Sequence, residues 1–224
     1  MTTVSPLQTE INSVMTLYSN GQIQEALDSV ETLTKDYPDE PLLYNISGVC
    51  YKAIGKPDEA VKNFEKALAI KPDYAEAHNN LGITLKELGQ VDAAVKSYED
   101  ALAIKPDFAE ALNNLANIFL ELKQLDAAVD HFERVVAYQP DFAEAHNNLG
   151  STFLALGQPD AAVKCYEKAL AIKPDYAEAH NNLGSAFNVL GQVGAAVKCY
   201  EKALAIKPDY SEAHNNLVNA RASR

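Results

Sequence analysis

The chain contains no tryptophan, two methionines, three cysteines and only 19 lysines and arginines, set against 31 aspartates and glutamates in 224 residues. Each shortage excludes a class of function. With a formal charge of −12 and no basic stripe, nucleic acid and anionic membrane are not expected as partners, since both are held by basic patches. No apolar run approaches the ~20 residues needed to cross a bilayer. The start, MTTVSPLQTE, has neither the basic nor the apolar segment of a secretory leader. The expected location is the cytoplasm, where Cys50, Cys165 and Cys199 remain thiols. Gly-rich phosphate loops and the GxSxG and HExxH patterns are absent. The expectation is a protein that is not an enzyme and uses no metal or cofactor.

What the chain has in abundance is itself. KPDYAEAHNNLG, from Lys71, returns as KPDFAEALNNLA from Lys105, QPDFAEAHNNLG from Gln139, KPDYAEAHNNLG from Lys173 and KPDYSEAHNNLV from Lys207. Pro38, Pro72, Pro106, Pro140, Pro174 and Pro208 keep one 34-residue interval without a slip. A fixed period of this length signals a solenoid whose core grows repeat by repeat.

Within a period the pattern predicts helix, turn, helix. In the repeat from Ala75, Asp73 and Glu76 match a D-x-x-E capping box, so a helix is expected to begin near Tyr74. Counted from Ala75, the third, fourth, seventh, eighth and eleventh places are Ala77, His78, Leu81, Gly82 and Leu85, which share one helical face. Gly89 suits the left-handed residue that ends the first helix, and AAVKSYEDALAI forms the second, closed by Pro106. Gly82 lies where a Cβ would hold the two helices apart. Lys62, Lys96, Lys164 and Lys198 each have a Glu three residues on, which reads as ion pairing on a solvated face.

Leu81, Gly82, Ala94, Tyr98, Ala101 and Pro106 occupy signature places of the tetratricopeptide repeat, and the chain resembles that family. Leu149, Gly150, Ala162, Tyr166, Ala169 and Pro174 fill the same places, as do Leu183, Gly184, Ala196, Tyr200, Ala203 and Pro208. The fourth repeat departs, with Ala116 for Gly, Lys123 for the turn Gly and Val135 for Ala; the first has Val14 for Gly. The resemblance implies an all-α fold, a right-handed α-solenoid of antiparallel helix pairs. The expected organisation is a frayed lead-in over 1–6 and helix pairs at 7–40, 41–74, 75–108, 109–142, 143–176 and 177–210. A capping helix or truncated seventh repeat follows over 211–224. Val218 and Ala220 are expected to face the open end, with Ile11 and Val14 as the matching surface at the first repeat.

His78, His146, His180 and His214 share the fourth place, on the packing face. Successive members are one repeat apart, too far to converge on one ion, so hydrogen-bonded packing is expected.

The asparagine pairs are harder to explain. Asn79-Asn80, Asn113-Asn114, Asn147-Asn148, Asn181-Asn182 and Asn215-Asn216 stand mid-helix, where each Asn costs ~0.5 kcal/mol against Ala. The wheel puts the fifth and sixth places, with the second and ninth, opposite the packing face. In the tetratricopeptide family that face lines a concave groove. The sixth-place series Asn80, Asn114, Asn148, Asn182 and Asn216 is similar to the asparagine ladder in the superhelix of O-linked N-acetylglucosamine transferase and of related bacterial arrays. A primary amide both donates and accepts, so a column of them suits the backbone of an extended peptide. The alternative is that the amides tie adjacent first helices together; that reading is favoured for the fifth place, Asn79, Asn113, Asn147 and Asn181, and groove contact for the sixth. The groove is expected also to include Asn117 and the second-place column Glu110, Glu144 and Glu178, whose first role is expected to be capping.

Two functions follow. The first is a non-catalytic interaction module that binds a protein or extended peptide in the groove, as the recognition arm of a larger transferase in one version. The second is a scaffold that associates weakly end to end. With Asn facing away from the core, alanine at Asn114, Asn148 and Asn182 together is expected to leave the fold at least as stable.

Overall fold

The structure is a computed structural model that describes residues 5–223. Those residues form thirteen helices and no strand: α1 (Pro6–Ser19), α2 (Ile23–Asp36), α3 (Pro41–Ala53), α4 (Pro57–Ile70), α5 (Ala75–Glu87), α6 (Val91–Ile104), α7 (Ala109–Glu121), α8 (Leu125–Tyr138), α9 (Ala143–Ala155), α10 (Pro159–Ile172), α11 (Ala177–Val189), α12 (Val193–Ile206) and α13 (Ser211–Ala222). The fold is an all-α solenoid in which each helix from α2 to α6, and each from α9 to α13, packs on the one before it. It comprises two compact units, Met1–Ala111 and Leu112–Arg224.

Helix pairs form because the turns inside them are short and chemically fixed. Gly55 and Gly89 take the left-handed conformation, at φ +73° and +75°, and Gln90 N–H closes the turn onto Leu85 O at 2.9 Å. Lys123 replaces glycine in the fourth repeat and still adopts φ 61°, with Gln124 N–H reaching Phe119 O at 2.8 Å. The closing bonds hold the turn even where the residue is not glycine.

The glycines of the first helices answer to the second helices. A Cβ at Gly82 would stand 2.7 Å from the ring of Tyr98, and one at Gly150 2.7 Å from that of Tyr166. Both rings are buried. In the first repeat the exchange runs the other way: Val14 replaces glycine, Val30 replaces the aromatic, and both are buried in one cluster.

Three expectations are corrected. The capping box does not form. Tyr74 is the N-cap of α5 and no side chain caps it, and α9, α11 and α13 begin in the same way at Phe142, Tyr176 and Tyr210. Lys62 pairs backward with Glu59, at 2.9 Å, rather than with the following Glu65. At the ends, Ile11, Val14 and Ala220 are buried in the core, so the first two offer no docking surface. Val218 does stand exposed. Arg221 reaches back from α13 to Glu201 of α12 at 2.8 Å. Residues 1–4 of the expected lead-in and Arg224 lie outside the described residues; Ser5 caps α1 by accepting from Gln8 N–H at 3.2 Å.

Candidate functional site: the asparagine ladder

Within each unit, first helices of successive repeats lie side by side, and asparagines meet there. In the first unit Asn80 Nδ2 of α5 donates to Asn45 Oδ1 of α3 at 3.0 Å. In the second, Asn182 of α11 donates to Asn147 of α9 at 3.1 Å and Asn216 of α13 to Asn181 of α11 at 3.0 Å. At these three steps a sixth-place amide donates to the fifth-place residue one repeat back.

The fifth-place amide then passes the chain forward. Asn147 Nδ2 donates to Glu178 Oε1 at 3.3 Å, and Asn181 Nδ2 to Glu212 Oε1 at 3.1 Å. The two places therefore differ. Asn79, Asn147 and Asn181 are buried, the last two at 0% exposure, so the fifth place lies between helices and not on the open face expected for it. Asn80, Asn114, Asn148, Asn182 and Asn216 are half-buried. Each bonded sixth-place amide spends one N–H on the tie. Its second N–H is left over, and the Oδ1 atoms of Asn148 and Asn182 receive only a long 3.5 Å contact from their neighbours.

The glutamates complete the edge. Glu110, Glu144, Glu178 and Glu212 are exposed, and Glu178 and Glu212 accept amides from the first helix of the preceding repeat instead of capping their own. Sequence reasoning missed this because a capping Glu and a Glu facing a neighbouring repeat stand at the same place. The first helices α9 and α11 carry no lysine or arginine at all, and neither does α7. In the first unit Lys52 is paired with Glu87 at 3.0 Å.

The tyrosines that begin the first helices feel these carboxylates. Burial, then Glu212 and Glu178, push the Tyr210 phenol up to about 12; burial, then Glu178 and Glu144, push Tyr176 higher still. Burial also raises Tyr166 to about 12. Because the folded state holds these phenols protonated above their ordinary value of about 10, the stability they contribute is fully present below pH ~10 and is lost as pH rises toward about 12. Urea denaturation across that window should show stability level at first and then falling, in step with phenolate absorbance. A fall completed below pH ~10 would contradict the assignment.

The histidine series is hydrogen-bonded as expected, with His146 and His180 buried and His214 exposed. His78, His146, His180 and His214 each place Nε2 at 2.8–3.0 Å from the carbonyl of the proline six residues earlier. Among the described residues no cluster of His, Cys, Asp and Glu is arranged to hold a metal, and no helix is long and apolar enough to cross a membrane. The three cysteines are free and buried, and burial pushes all three thiols up.

Stacked helix pairs with interlocked first helices define a class of interaction scaffold. The chain belongs to the tetratricopeptide repeat family, whose models match residues 48–89 and 150–190 (TPR repeat), 87–151 and 177–210 (Tetratricopeptide repeat). No curated protein sequence matches the chain. Solved structures do. MamA is 28% identical over 74% of this chain and 96% of its own, with a TM-score of 0.67. PilW, a type IV pilus biogenesis factor, is 24% identical over 96% and 100%, with a TM-score of 0.83. YrrB, described as a tetratricopeptide protein with an unusual peptide-binding site, is 19% identical over 83% and 96%, with a TM-score of 0.69. The chain is thus a protein–protein interaction module of a family that is generally non-catalytic.

Proposed function

We propose that the module binds an extended peptide segment of a partner protein along its first-helix face, with the sixth-place amides as the backbone-reading groups. The observation that carries this is the division of labour in the ladder. The fifth-place amides Asn147 and Asn181 are buried and spent on neighbours, whereas Asn148, Asn182 and Asn216 stay half-buried with hydrogen-bonding capacity in hand. A peptide N–H or carbonyl satisfies such an amide whatever its side chain is. The resemblance to the transferase ladder agrees with this reading, and a role as the recognition arm of a transferase is one form of it.

Side-chain amide resonances give a direct test. Peptides selected from a random unstructured library on the immobilised protein would be titrated into the nitrogen-15-labelled chain. The NH2 signals of Asn148, Asn182 and Asn216 should shift, while that of Asn63, bonded to Glu59 within the second helix α4, should not. Shifts confined to second helices would overturn the proposal.

A further inference from the structure

The ladder has one fault, and it lies between α7 and α9. At the regular steps the donor reaches back 35 residues, but Asn148 Nδ2 reaches back 31, to Asn117 Oδ1 at 3.1 Å. Asn113, the fifth-place residue that should receive it, is left with Oδ1 fully buried and no hydrogen-bond partner. Nor does Asn113 make the forward bond: Glu144 receives no amide, unlike Glu178 and Glu212.

One shifted bond thus leaves a buried acceptor without the partner that Asn45, Asn147 and Asn181 have. An orphaned buried acceptor costs free energy, and natural folds keep few of them.

The surroundings say which group would satisfy them. Asn113 Oδ1 and the Glu144 carboxylate are both acceptors, and α7, α9 and α11 supply no cation. The Asn113 carbonyl has no hydrogen bond to lose on turning toward the groove. The geometry points to this step as the anchoring point for a basic side chain, a lysine ammonium or arginine guanidinium, of the extended partner segment. This rests on the groove reading above and adds to it a position and a charge.

The test uses the whole chain and a defined probe. A fluorescein-labelled (Lys-Gly-Ser)5 peptide places a lysine about every 10 Å when extended, close to one helix-packing distance of about 8–10 Å. Peptides with norleucine or glutamate for lysine are the controls. Fluorescence anisotropy should show the lysine peptide binding at low salt and both controls at least about tenfold weaker. Asn113→Ala, which removes the unpartnered carbonyl, should weaken binding about fivefold or more while the melting temperature holds or rises. Glu144→Gln should weaken it similarly, and Glu110→Gln should not. If both variants at the fault bind as the parent does while Asn182→Ala loses binding, the inference is overturned and the groove reading stands. A parent that does not prefer lysine over norleucine overturns the inference as well. Equal binding by every variant means diffuse acidity alone, and defeats both.

Discussion

Alanine at Asn147 and Asn181 together should lower the unfolding free energy by about 2–4 kcal/mol, while Asn113→Ala should leave it unchanged or raise it by about 0.5 kcal/mol. All three residues occupy the same place in their helices, so propensity favours alanine equally at each. What differs is the bonding. Asn147 accepts from Asn182 and donates to Glu178, and Asn181 accepts from Asn216 and donates to Glu212, all from fully buried positions. Removing either strands a donor on the next first helix. Asn113 has nothing comparable to lose, since its Oδ1 is already unpartnered. Urea titration of the three proteins decides the matter. A loss at Asn113 of half that of the double variant or more would show that the fault does not exist in solution.

The same bonds correct the expectation that alanine at Asn114, Asn148 and Asn182 costs nothing. That expectation followed from placing the sixth place on an open face, where Asn has only its poor helix propensity to weigh. Asn148 and Asn182 instead donate to acceptors on the preceding first helices, so the triple variant is expected to be less stable than its parent. Its loss of binding alone would therefore say little, which is why the fault variants, and not the ladder variants, carry the binding test.

How much was legible follows from what a period can encode. The 34-residue interval, the Gly82–Tyr98 type of contact and the turn glycines depend on residues within one repeat, and the pattern showed them. The asparagine ties join residues 31 or 35 apart, across neighbouring repeats. A wheel drawn for one isolated helix has no neighbour on its flank, so it places Asn79, Asn147 and Asn181 on open surface when they are buried. The glutamates were misread for the same reason: a local rule, the capping box, was available and the contact with the next repeat was not. The shifted bond could have been suspected from Asn117, since the ninth place holds Ile83, Ser151 and Ser185 in neighbouring repeats.

The second large effect concerns the contact that holds each pair together. Gly184→Val should cost about 1–3 kcal/mol, because even a Cβ there stands 2.6 Å from the Tyr200 ring. Tyr200→Val should cost a similar or larger amount, about 2–4 kcal/mol, by leaving a cavity where a buried ring stood and removing its hydroxyl from Ser185. The two together should cost less than their sum by at least ~1 kcal/mol, within the range seen for residues in contact. The warrant is in the chain itself: the first repeat pairs Val14 with Val30 at these places, and both are buried at 2% and 0% exposure. A valine on the first helix and a valine on the second thus fill the space that glycine and an aromatic fill elsewhere. The gain in the double variant comes from the new branched side chain entering the volume the ring has left, which neither single variant permits. Chemical denaturation of the four proteins closes the cycle. Additive losses would mean that the Val14–Val30 pair depends on features peculiar to the terminal repeat, and that glycine and aromatic are not exchangeable as a unit in the interior of the array.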